Sequence, residues 1–193
     1  MNDRYAETQH DFAINVEEVQ LPGRLTIPTN AEAIIVFTDS DSRSNAQSVQ
    51  LAEEFQNKHY GTLQTDLLLE GEEDGPDMDD VLAKRVETAL NWLKDDADTR
   101  TCDYVLFSRT PAGAKNALKV MQDKSRRIVS SVLHVDLINP EELPDIPVPT
   151  LVLTGTIPEI EKKNLSMAKP DNVVQQVVDW YIETRDLPKE ETE

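Results

Sequence analysis

The sequence predicts an α/β protein, with a mainly parallel sheet covered by helices on both faces and an antiparallel hairpin at its N-terminal edge. Three observations carry this. Short unbroken apolar runs (AIIVF at 33–37, YVLF at 104–107, IVSSVL at 128–133, TLVL at 150–153) have the length and composition of strands buried on both faces. Amphipathic helical patterns alternate with them, the signature of strand–helix–strand units. Ahead of the first run, FAINVEEVQ (12–20) alternates apolar and polar, and LPG reads as a turn into RLTIP.

In chain order, the run at 33–37 leads into TDSDSRSN, whose polar residues offer N-caps for a helix through AQSVQLAEEFQNKH, with Val49, Leu51, Ala52 and Phe55 on its inner face and Gly61 as its stop. TLQTDLLL (62–69) is the next strand. EGEEDGPDMDD (70–80) carries seven acidic residues, two glycines and one proline, which predicts a solvated loop. A second helix follows from 78 to 96, with Val81, Leu82, Val86, Leu90 and Leu93 at helical spacing and Asp79 and Asp80 at its favourable N-terminal end. After the strand DYVLF come the helix AGAKNALKVMQ, the strand RIVSSVLHVDL, a proline-rich link and TLVLTG. A last helix, NVVQQVVDWYIET, offers Val173, Val177, Trp180 and Tyr181 for docking. The 193 residues suit a single domain over 12–185, with 1–11 as a flexible N-terminus and 186–193 as an acidic tail.

Formal charge is −18, from 37 acidic and 19 basic residues spread along the chain. Such a surface repels phosphate, which argues against nucleic acid and anionic membranes as partners. The composition resembles that of halophilic archaeal proteins, whose acidity salt screens. The N-terminus lacks the basic-then-apolar layout of a signal peptide and no stretch approaches the roughly 20 apolar residues of a membrane span, so a cytoplasmic protein is expected. The single Cys102 leaves no internal disulfide and no multi-cysteine metal site. No cofactor is expected.

The phrases LPGRLTIPTNAEAIIVF, AEEFQNKHYGTLQTDLL, ETALNWL, YVLFSRTPAGAKNAL and IPVPTLVLTG, taken in order, resemble the α/β-hydrolase superfamily and its small dienelactone-hydrolase-like members. The resemblance implies that fold without a large cap, and a serine at the centre of a small-x-Ser-x-small elbow, followed in the chain by an acid and a histidine. Here the elbow reads Ser108-Arg109-Thr110-Pro111-Ala112. The central residue is threonine, and Pro111 lacks the backbone N–H that would supply half of the oxyanion hole, a loss on the order of 3 kcal/mol of transition-state stabilisation. Where the family commonly has His-Gly after its first buried strand, this chain has Thr38-Asp39. The acid position after TLVLTG offers only a displaced Glu159. The histidines, His10, His59 and His134, all precede it, and the family's final slot reads MAKPDNVV.

These changes predict a fold whose triad has degenerated, a non-catalytic protein working through another protein, self-association or a ligand held in the old cleft by Thr38, Asp39, Arg109, Thr110 and His134. The alternative is a hydrolase of the dienelactone-hydrolase or esterase type with unconventional residues. A further alternative is a magnesium-dependent phosphatase: Asp39 and Asp41 just after a buried strand, with Ser108 ending another, resemble haloacid-dehalogenase-like sites, although Asp136, Glu141 and Glu142 fall at poor spacing for the later acids. DSDS also reads as a capping loop, and Arg43 breaks the calcium-loop pattern. No metal is expected.

Overall fold

The computed structural model describes residues 8–73, 78–122, 128–134, 146–154 and 164–185. Eight strands form one sheet: β1 (Thr8–Val16), β2 (Val19–Ile27), β3 (Ala33–Phe37), β4 (Gly61–Thr65), β5 (Asp103–Ser108), β6 (Ile128–His134), β7 (Thr150–Leu153) and β8 (Leu165–Ala168). Their order across the sheet is β1-β2-β4-β3-β5-β6-β7-β8. The β1–β2 and β2–β4 pairs are antiparallel and all others parallel. The helices are α1 (Ala46–Gln56), α2 (Asp79–Asp95), α3 (Pro111–Met121) and α4 (Val173–Arg185).

Alternation along the central strands divides the core in two. Ile34, Val36, Tyr104, Leu106, Leu133 and Val152 point to one face and meet the apolar sides of α2 and α3. Ile35, Phe37, Val105, Phe107, Val132 and Leu151 point to the other and meet α1 and α4. Both faces are covered, which is why these strands read as unbroken apolar runs. Among the described residues no helix is long and apolar enough to cross a membrane.

Several boundaries differ from the sequence expectation. The hairpin turns at Glu17-Glu18, with Glu17 at φ 52, and not at Leu21-Pro22-Gly23, which lies inside β2. Pro22 is tolerated there as a partner of Ala13, its carbonyl accepting from the Asp66 N–H. Gly23 serves packing: a Cβ on it would lie 2.5 Å from the Phe12 ring, which stacks on Trp92 at 4.1 Å. Gly23→Ala is therefore expected to dislodge Phe12 and cost about 1–3 kcal/mol, read as a lower melting temperature together with altered tryptophan emission. Strand β1 also takes in Thr8–Asp11, so ordered structure begins before residue 12.

Helix α1 ends at Gln56, and His59 at φ 65, not Gly61, makes the exit; Gly61 already belongs to β4. Its buried face is Ser48, Ala52 and Phe55, while Val49 and Leu51 are only half-buried. Val81 of α2 is 39% exposed. On α4 the buried residues are Val174, Val177, Val178 and Tyr181, with Val173 and Trp180 at the margin. β8 lies where the sequence suggested a loop, since LSMA is too short to announce itself and gains its ladder only by lying beside β7.

The loop after β4 is not simply solvated. The Arg85 guanidinium, 4% exposed on α2, donates through Nη1 to the Leu67 carbonyl and through Nη1 and Nη2 to the Glu72 carboxylate at 2.5 and 2.7 Å. Glu72 also accepts from the Leu69 N–H at 2.8 Å. The ion pair staples the acidic loop to the helix.

Candidate functional site

The carboxyl ends of the parallel strands, where open α/β sheets hold their ligands, are reached here at Phe37, Thr65, Ser108, His134, Leu153 and Ala168. The β5–α3 turn is the centre of this end. Ser108 closes β5 fully buried; Arg109 and Thr110 make the turn; Pro111 opens α3 at its first position, where a missing N–H breaks no helical bond. Thr110 is the N-cap, at φ −119 and ψ 155, an ordinary extended backbone, and its hydroxyl accepts from the Gly113 N–H at 3.1 Å.

Asp39 enters this turn from the end of β3. Its side chain is completely buried. The carboxylate accepts from the Arg109 N–H at 3.1 and 3.0 Å, from the Thr110 N–H at 3.0 Å and from the Thr110 hydroxyl at 2.7 Å. The Arg109 Nε lies 3.8 Å from it, and that side chain is held across the start of α1 by Ser48 Oγ and Gln47 Oε1, each at 2.9 Å. Burial pushes the Asp39 carboxyl above the usual carboxylate range, against the opposing pull of the Thr110 and Arg109 hydrogen bonds and the Arg109 charge. Gly113 makes the approach possible, because a Cβ there would sit 2.3 Å from Asp39 Oδ1.

Thr38 is buried beside it. Its hydroxyl donates to the Gly113 carbonyl at 2.9 Å and its own carbonyl accepts from Asn116 Nδ2 at 3.2 Å. Thr38 and Asp39 are thus sealed between β3, β5 and α3 and do not line an open cleft; Arg109 and Thr110 are half-buried and Ala112 partly exposed. The sequence reading missed Asn116, Ser48 and Gln47, which look like ordinary polar positions of helices. The signal that was available was a glycine at position 113, one residue beyond the elbow.

The remaining candidates scatter. His134 closes β6, its backbone in register with Leu153 of β7, one residue past the Leu133 that pairs with Ser108. His10 lies on the outer strand β1 and His59 at the entrance to β4, both remote from the turn. Glu159, Asp136, Glu141 and Glu142 lie outside the described residues. Asp41 forms a bridge with Asp66 and accepts from the Asn45 side chain at 3.0 Å, while Asn45 caps α1. The Asp66 carboxylate pins the same loop through Arg43 and Ser44. Asp39, the nucleophile of the phosphatase reading, is buried with its carboxylate engaged by the Arg109 and Thr110 N–H groups and the Thr110 hydroxyl, while the later acids that reading needs lie outside the described residues.

Solved structures decide the fold. The chain is similar to dienelactone hydrolase from Anabaena variabilis, with a TM-score of 0.73 at 22% identity over 92% of this chain and 98% of that one. The fold is that of the α/β-hydrolases. The hydrolase-like architecture extends to a cold-adapted esterase from an Arctic intertidal metagenomic library (TM-score 0.66, 14% identity, 95% and 96% covered). It also extends to an α/β serine hydrolase homologue from Coxiella burnetii (0.59, 14%, 93% and 97%). No protein-family model and no well-characterised protein sequence matches the chain.

Proposed function

We propose that this α/β-hydrolase-like chain is a non-catalytic cytoplasmic protein whose elbow has become a structural clamp, and that it acts by holding a protein partner or a ligand. The observation that carries this reading is the Asp39 carboxylate, which takes both backbone N–H groups of the turn and the Thr110 hydroxyl. A negative charge stands where a catalytic site needs donors for a developing oxyanion, and Pro111 supplies none. The Thr110 hydroxyl is occupied both as donor and as acceptor.

A hydrolase is the second reading, and two observations favour it. The structural neighbours named above are a dienelactone hydrolase, an esterase and a serine hydrolase homologue. The 2.7 Å contact of Thr110 Oγ1 with Asp39 is also the spacing of a nucleophile and its base. One assay separates the readings. Purified protein in high salt is offered p-nitrophenyl acetate, p-nitrophenyl butyrate and a dienelactone, alongside Thr110→Ala and His134→Ala. Release that equals the buffer blank and is unchanged in both variants is the expected outcome; turnover abolished by Thr110→Ala makes the chain a threonine hydrolase.

A further inference from the structure

A cavity of about 470 Å³ lies between the β1–β2 turn and helix α2. Its size is that of a small-molecule site, and none of its lining residues belongs to the β5–α3 turn. Its two walls carry opposite charges. The turn contributes Glu17 and Glu18, both exposed, and α2 contributes Lys84 and Arg85. Val81, three and four residues before those cations on the same helix face, and Val16 and Val19, which flank the turn, supply the apolar surface. Two-residue hairpin turns favour Gly, Asn and Asp, so the paired glutamates answer no local need of the turn.

Some of these groups are already matched. Lys84, on one wall, is ion-paired to Glu17 on the other. Arg85 directs Nη1 and Nη2 to the Glu72 carboxylate and the Leu67 carbonyl. One group is left over on each wall. Glu18 has no partner among the described residues, and the Arg85 Nε–H, on a side chain only 4% exposed, has no acceptor. A buried donor without an acceptor is costly, and a ligand oxygen would satisfy it. Because the lining holds two acids and two cations, a ligand with a single charge is attracted by one wall and repelled by the other. A ligand carrying both signs is attracted by both. We infer that this cavity binds an aliphatic α-amino acid as its zwitterion. The ligand carboxylate accepts from Arg85 Nε–H beside Lys84, its ammonium donates to Glu18, and its side chain lies against Val16, Val19 and Val81. The inference is independent of whether the elbow turns over an ester.

The test uses the full chain, carbon-13-labelled at its valine methyls and followed by NMR at one fixed salt concentration. The probes are L-leucine, isopentylamine (leucine without its carboxylate) and 4-methylpentanoate (leucine without its ammonium). Saturable shifts of the Val16, Val19 and Val81 methyl signals are expected with leucine. Each analogue should bind about tenfold or more weakly, since each leaves one wall without its opposite charge. Glu18→Gln, at an exposed turn position, is expected to weaken leucine binding about fivefold or more. Val81→Gln, at an exposed helix position, should do the same by removing apolar wall. No saturable shift with leucine, an analogue that binds as tightly as leucine, or leucine affinity unchanged in either variant would each overturn the inference.

Discussion

Asp39→Ala is expected to lower the stability of the protein by about 3 kcal/mol and to bring no ester hydrolysis with it. The carboxylate satisfies two backbone N–H groups and one hydroxyl at a fully buried position and lies 3.8 Å from the Arg109 guanidinium. Removing it leaves buried donors without partners and a guanidinium without its counter-charge, and both losses belong to the expensive class. Urea unfolding of wild type, Asp39→Ala and Thr110→Ala at constant high salt measures the effect. Thr110→Ala should cost less, about 1 kcal/mol, because it deletes a helix cap and one hydrogen bond while the carboxylate keeps its backbone donors. An Asp39→Ala variant as stable as wild type would remove the clamp from the account, and one that gains esterase activity would show that the carboxylate masks a working site.

The second large effect is expected at Glu72. Glu72→Gln leaves the Arg85 guanidinium buried on α2 with its charge uncompensated, a loss of about 3 kcal/mol. The pH dependence has a defined sign. The Arg85 hydrogen bonds hold the Glu72 carboxyl down at about 2, against an ordinary value of 4.5. The folded state therefore binds this proton more weakly than the unfolded state does. The stabilisation is fully present above pH 4.5 and is lost as pH falls from 4.5 to about 2. Chemical unfolding measured at intervals across that window should show wild-type stability falling toward that of Glu72→Gln; parallel curves for the two proteins would contradict the ion pair as the cause.

Parts of the site were legible before the structure. The elbow stretch 108–112 was readable because a buried strand, a turn and a helix leave distinct marks, and Pro111 excludes a backbone donor from chemistry alone. The charge of Asp39 was readable too, as a group that would oppose an oxyanion. Its reach was not: whether a carboxylate at position 39 faces solvent or threads under the turn depends on β3 lying beside β5 and on Gly113 leaving room, contacts about 70 residues apart in the chain. Pro22-Gly23 misled for a related reason. A proline–glycine pair is a strong local turn signal, and only the pairing of Pro22 with Ala13, with Phe12 lying over Gly23, places it within a strand.

The sequence by itself determined the class of fold, the two-faced burial of the central strands, the helix at each crossover it contains between 38 and 122, and the absence of a proton donor at position 111. These are consequences of local composition: side-chain period, apolar runs, capping residues and the ring of proline. The tertiary structure alone decided the strand order, the existence of β8, the burial of Arg85 and the capture of the β5–α3 turn by Asp39. Each of these rests on hydrogen bonds or charges satisfied by residues distant in sequence, so no window of neighbouring residues contains the partner that makes the arrangement favourable.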